Sequence, residues 1–187
     1  MEVLLKREIV LSKAWCRLFG VMAFVILTSL GGYVRIPLPF TPVPLTLQTF
    51  FVLLSGAFLG GLGAVTQILY ILLGLSGITL FTYSGSGIVY LFGPTGGYLA
   101  GFVAASFLVS ALRKVASRSL SRTIGVFFLA DSVLLAIGAV WLGVFLHISV
   151  FRAFLIGFLP FLIGDLLKAI VAASLYWKTR DRIREIF

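Results

Sequence analysis

Apolar residues dominate this chain in long blocks, and polar residues fall between the blocks rather than alternating with apolar ones. The stretch 36–112 contains no charged residue, and neither does 132–151. No single buried element is as long as the first stretch, so it must be several apolar spans joined by uncharged turns. About 20 consecutive apolar residues cross a bilayer as a helix. Six such spans are predicted: 18–34, 46–60, 62–78, 95–112, 124–146 and a last one ending near Lys178. The last starts near Ala153 or at Pro160. Pro160 is favoured, because proline suits the first helical turn, where its missing N–H would have no partner anyway. The expected fold class is all-α: a polytopic membrane protein, a six-transmembrane-helix bundle forming one domain over 1–187.

Composition agrees with this pattern and narrows the function. Of 187 residues, 60% are hydrophobic and 11% charged, with a mean hydropathy of +1.15. A soluble domain is about a quarter charged, so a soluble enzyme of this size is excluded. Cys16 is the single cysteine and His147 the single histidine. An intramolecular disulfide and the usual zinc or iron–sulfur ligand sets are therefore excluded, and neither metal nor cofactor is expected. No glycine-rich loop ends in Lys-Ser or Lys-Thr, so the chain is not expected to hydrolyse ATP itself.

Charge placement orients the bundle. Lys6, Arg7, Lys13 and Arg17 precede the first span; Arg113, Lys114, Arg118 and Arg122 follow the fourth; Lys178, Arg180, Arg182 and Arg184 close the chain. In a six-span arrangement all of these lie on one side, and only Arg35 and Arg152 lie on the other. The positive-inside rule makes the basic side cytoplasmic, with both termini there: 1–17 as an N-terminal segment and 179–187 as a basic tail. The N-terminus resembles a signal peptide, but its apolar stretch is long and more spans follow, so an uncleaved first helix is expected. The net charge of +9 is thus a topology signal facing membrane lipid, and nucleic acid is not expected as a partner.

The external side carries the unusual segments. Pro37, Pro39, Pro42 and Pro44 predict a stiff, extended connector between the first two spans. Residues 79–94 form a long, uncharged, glycine-rich and aromatic loop. Irregular backbone at membrane depth survives only where protein buries it or water reaches it, so this loop is expected to be a lid or cavity wall. Asp165 and Lys168 stand three residues apart on one helix face. Each would cost about 2.5–3.5 kcal/mol at a lipid-exposed span centre. They form either a structural ion pair or a ligand site, and the converging external loops favour the site. An adjacent carboxylate and ammonium suit a neutral ligand with donors and acceptors, such as a urea or amide. Arg35 at the mouth attracts an anionic ligand or anchors to headgroups. Gln48 lines the cavity or bonds between helices. Asp131 is expected to reach cytoplasmic water or a nearby base.

Three segments carry a resemblance to a known family. They are Arg35-Ile36-Pro37-Leu38-Pro39 through Pro42-Val43-Pro44-Leu45-Thr46-Leu47-Gln48-Thr49, then Leu91-Phe92-Gly93-Pro94-Thr95-Gly96-Gly97-Tyr98, and last Pro160-Phe161 with Gly164-Asp165-Leu166-Leu167-Lys168-Ala169. In order and spacing, from Gly20 onward, the chain resembles the BioY family, the biotin-binding S components of energy-coupling factor (ECF) vitamin transporters. The resemblance implies a biotin-capture subunit in a bacterial cell membrane, without enzymatic activity. Its implied partners are a transmembrane scaffold subunit and two ATP-binding subunits. It implies that Asp165 accepts from the ureido N–H groups and that Lys168 reaches the ureido oxygen or holds Asp165. It further implies that Tyr83, Ser84, Gly96, Tyr98 and Gln48 line the pocket. The asparagine that family members often carry near 83–86 is absent here. The Ala-x-x-x-Ala face that S components use to meet the scaffold has its nearest counterpart in Ser12, Cys16 and Gly20.

Two other functions compete with capture. One is a stand-alone transporter of the same ligand, in which Asp131 or Asp165 would carry a proton. The other is an intramembrane serine protease, because Gly74-Leu75-Ser76-Gly77 matches the Gly-x-Ser-Gly motif of rhomboids and His147 falls at the same side. His147 is followed by Ile148-Ser149-Val150 rather than glycines, and the second span has no His/Asn oxyanion group, so the protease is disfavoured.

Overall fold

An apolar bundle leaves no water for backbone N–H and C=O groups, and helices satisfy them internally. The computed structural model describes residues 2–186, with side chains described for 13–182. Nine helices are found among the described residues: α1 (Glu2–Tyr33), α2 (Gln48–Leu59), α3 (Gly61–Leu75), α4 (Gly87–Leu91), α5 (Gly96–Ala111), α6 (Arg113–Ala116), α7 (Leu120–Leu146), α8 (Val150–Gly157) and α9 (Leu162–Ile186). Single 3-10 turns stand at Thr82–Ser84 and Leu159–Phe161. Pro160 lies in the second of these, directly before α9, and its missing N–H costs no helical bond there.

Among the described residues, three segments are long and apolar enough to cross a membrane: Lys13–Tyr33, Leu120–Leu146 and Val150–Arg182. Three more apolar helices, α2, α3 and α5, have 12, 15 and 16 residues. At about 1.5 Å per residue each falls short of a hydrocarbon core of about 30 Å. The connectors before α2 and after α3 pack into one end of the bundle, where Thr41, Val43, Phe81 and Thr82 are buried.

That end holds the connectors 34–47 and 76–95; the opposite end holds the basic loop after α5. There Arg180 of α9 donates to Ser117 O at 2.8 Å and lies 3.4 Å from the Trp177 ring centroid. Ser119 caps α7 by accepting from Arg122 N–H at 3.2 Å.

The proline-rich connector is not the extended strut expected from its composition. It doubles back, and Arg35–Ile36 (β1) pairs antiparallel with Leu45–Thr46 (β2). The four prolines all lie between the two strands, so none removes a donor from the ladder. Leu47 N–H closes the base of the connector on Val34 O at 3.0 Å.

Close helix contact rests on small residues. A Cβ on Gly56 of α2 would strike Ser106 O of α5, and one on Gly63 of α3 would sit 2.6 Å from Gly56 Cα. Gly97 and Gly101 of α5 meet Trp141 and Leu134 of α7 in the same way, and Gly138 of α7 receives the Tyr98 ring. In lipid, backbone approach of this kind replaces the hydrophobic drive that holds soluble helices together.

A Cβ on Gly101 would come within 2.9 Å of Leu134 O. Gly101→Val is therefore expected to destabilise the bundle by about 1–3 kcal/mol through overpacking. Thermal unfolding of the detergent-solubilised protein reads this as a lowered midpoint.

Candidate functional site

The loops at the non-basic end converge on a pocket of about 500 Å³ of space free of atoms, partly open to solvent. Its apolar wall includes Tyr90, Tyr98, Phe102 and Phe161, and its polar groups are Thr46, Gln48, Thr49, Thr82, Asp165 and Lys168. A wider outer vestibule, lined by Tyr83, Ser86, Phe92 and Phe145 among others, lies above it. Pro44, Tyr90 and Thr95 belong to both walls and form the neck between them.

Asp165 and Lys168 form an ion pair in the first turns of α9. Asp165 is 1% exposed and Lys168 12%. Asp165 stands in the first turn of α9, at the positive end of the helix dipole. Thr49, in the first turn of α2, donates to Asp165 Oδ1 at 3.3 Å. Lys168 Nζ donates to Thr49 Oγ1 at 2.7 Å and to Thr46 O at 2.8 Å. The backbone carbonyl of Thr46 is therefore a direct partner of the buried charge. Thr46 and Thr49 lie inside the first of the resemblance segments, and that segment was the signal that could have singled them out.

Gln48 lines the pocket and is also bonded to the protein's own loops. Its Nε2 donates to Tyr70 Oη at 2.7 Å, and its Oε1 accepts from Thr82 at 3.1 Å and Thr46 at 3.4 Å. Tyr70 in turn donates to Leu80 O at 3.1 Å, as does Ser29 of α1. This hub ties the first connector, α1 and α3 to the loop that follows α3. Tyr70 follows Thr66 and Gln67 on one buried face of α3, and that helical spacing of polar groups was the signal that could have singled it out.

Arg35 and Tyr83 meet at the rim, the guanidinium 3.7 Å from the ring centroid. Tyr83 and Ser84 both hold left-handed backbone, with φ of 61° and 54°. Such conformations cost non-glycine residues about 1–3 kcal/mol each, and Thr82 O bonded to Gly85 N–H holds this turn. Arg35 and the exposed Ser84 line neither space. Nor does Gly96, which is buried where a Cβ would strike Leu91 O and approach Trp141 Nε1 at 3.2 Å. Tyr98 gives its ring to the pocket, but its hydroxyl donates to Gly157 O at 2.5 Å.

Asp131 does not reach cytoplasmic water or a base. It is 1% exposed, about three turns into α7, and no hydrogen-bond donor reaches either of its oxygens among the described residues. Helix α7 begins at Leu120, earlier than the span expected from the sequence, which places Asp131 deeper.

Ser76 donates its hydroxyl to Leu73 O at 2.8 Å. His147 ends α7 in left-handed backbone, and no hydrogen bond joins the two among the described residues. On α1, Cys16 and Gly20 are half-buried while Trp15, Leu18, Phe19 and Met22 are exposed. The side chain of Ser12 lies outside the described residues.

Known proteins resemble this chain over most of its length. The model of the BioY family matches residues 7–185. The "Probable biotin transporter BioY" of Pyrococcus horikoshii is 39% identical over 153 residues, 81% of this chain and 88% of that protein. The "Biotin transporter BioY" of Thermotoga maritima is 39% identical over 152 residues, 80% of this chain and 87% of that one. A crystal structure of the S-component for biotin from an ECF-type ABC transporter superposes with a TM-score of 0.81 at 24% identity, covering 88% of this chain and 90% of that one. That structure shares the fold, and the family model together with the close relatives settles the lineage: this chain is a member of the BioY family.

Proposed function

We propose that this chain is the biotin-capture subunit of an ECF-type vitamin transporter. The observation that carries the reading is the buried Asp165–Lys168 pair at the base of an aromatic-walled pocket. A ureido group has two N–H donors and one carbonyl acceptor. Asp165 takes the N–H groups, and Lys168 turns one of its N–H groups from Thr49 or Thr46 to the carbonyl oxygen. Charge-assisted bonds of this kind are about twice as strong as neutral ones. The rings of Tyr90, Tyr98, Phe102 and Phe161 cover the fused bicycle, and the acid tail points through the neck toward Arg35 and Tyr83. Gln48 acts by holding the loops in place. Ser84 and Gly96 act through the shape of their loops.

In this reading the chain works as one domain in the cell membrane. It traverses the bilayer six times, α2, α3 and α5 completing their crossings with the loops that dip from the external side. The basic end faces the cytoplasm. Transport is energised by two ATP-binding subunits through a scaffold subunit, which meets α1 at Ser12, Cys16 and Gly20. The names of the relatives support the ligand, and the likeness in fold to an ECF S-component supports the kind of partner.

Calorimetric titration of biotin into the detergent-solubilised chain tests the ligand. Saturable binding is expected, weakened by about 2–5 kcal/mol in Asp165→Ala, because a charged acceptor is lost and Lys168 is left unpaired. No binding by folded wild type would overturn the reading. Gln48→Leu is expected to weaken binding by about 1–3 kcal/mol, since Thr82 loses its acceptor and Tyr70 a donor; circular dichroism should show unchanged helix content. Gly20→Leu should leave biotin binding intact and reduce co-purification with the scaffold. Undiminished assembly would remove this face as the contact.

A further inference from the structure

The neck and the outer vestibule differ in chemistry from the pocket below them. At the base, the side chains of Thr46, Gln48, Thr49, Thr82, Asp165 and Lys168 are engaged with one another. Above the neck, the vestibule holds about 1430 Å³ of space free of atoms and opens to solvent. No charged side chain lines it among the described residues. Arg35 lays its guanidinium over the Tyr83 ring and lines neither space. Ile88, Val89 and Phe92 form an apolar wall there, and all three are exposed. Pro44, Tyr90 and Thr95 line both spaces, so a tail leaving a bicycle bound at the base passes between them into the vestibule.

Four hydroxyl side chains line this passage: Tyr83, Ser86, Tyr90 and Thr95. Ser86 and Thr95 stand at the N-cap positions of α4 and α5, yet neither side chain caps its helix. The hydroxyls of Tyr83 and Tyr90 bond to no protein group among the described residues. A free hydroxyl both donates and accepts. So does a secondary amide, whereas a carboxylate only accepts. A carboxylate in this space also finds no lining cation to replace its hydration, and an unpaired charge is costly to desolvate. An amide keeps its hydroxyl partners and carries its substituent onto the apolar wall, where removing apolar surface from water is favourable.

We propose that the site accepts biotin in conjugated form, as carboxamides that carry a neutral, apolar group beyond the carbonyl. The bicycle is held at the base, the amide lies among the free hydroxyls, and the added group rests on Ile88, Val89 and Phe92. The ligand is read by its bicycle and not by the charge at the end of its tail. This rests on the reading of Asp165 and Lys168 as the biotin site, with the tail directed outward.

Calorimetric titration of the detergent-solubilised wild type with biotin and with its N-benzyl amide tests the tail without any substitution. The amide is expected to compete with biotin for one site and to bind within about fivefold of it, or tighter. A larger loss shows that the acid itself is read and overturns the proposal. The double variant Ile88→Gln, Val89→Gln tests the wall with exposed residues only. It should lose at least about fivefold for the amide and less than about twofold for biotin. An equal change for both ligands, or none for either, overturns the placement of the tail in the vestibule. If folded wild type binds neither ligand, the capture function falls and this inference with it. If it binds biotin and excludes the amide, capture stands and only this inference fails.

Discussion

The cost of placing an ammonium and a carboxylate inside an apolar bundle is the constraint on which the rest of the structure depends. A buried charge left without partners is strongly destabilising, so the chain must bring polar groups to Lys168 and Asp165. It does so from a distance of more than a hundred residues in sequence. The backbone carbonyl of Thr46 comes from β2 and the hydroxyl of Thr49 from the first turn of α2. For a carbonyl to be free at that depth, the backbone there must be non-helical. The first connector therefore has to enter the bundle, and α2 has to start late. The shortness of α2 and the presence of a pocket are two results of one electrostatic demand.

A second polar layer keeps that arrangement in register. Gln48 follows directly after the strand that supplies Thr46, and its amide joins Tyr70 and Thr82. Because Tyr70 and Ser29 both reach Leu80 O, the loop after α3 is bound to the same hub. The small-residue seams between α2, α3 and α5, and between α5 and α7, supply the fixed frame. Polar bonds position the loops, and backbone contact positions the helices.

Much of this was legible in the residues. The uncharged stretches announced the helices, the clustered bases separated the two ends, and the isolated Asp165 and Lys168 could not be lipid-facing. The proline-rich connector misled because composition describes stiffness and not direction. Its prolines stiffen a reversal, and the non-proline residues at its ends, Arg35, Ile36, Leu45 and Thr46, make the ladder. Asp131 was placed at an interface because α7 was begun at residue 124. Helix starts set by a cap such as Ser119 do not show in hydropathy. Gln48 was visible as a polar residue near a cavity, but periodicity does not say whether its hydrogen bonds face a ligand or the protein's own loops.

The neck formed by Pro44, Tyr90 and Thr95 separates two kinds of control. In the proposed function, how tightly biotin is held would turn on what lies below it, the ion pair and the aromatic wall. In that same reading, how quickly biotin arrives or escapes would turn on the junction above, between a rigid pyrrolidine ring, a phenol and a small hydroxyl side chain. In the proposed function, changes in Pro44 and Thr95 would lengthen or shorten residence without altering the ion pair and the rings that read the guest, whereas Tyr90 serves both. Selection can therefore adjust the tempo of the pocket independently of its taste.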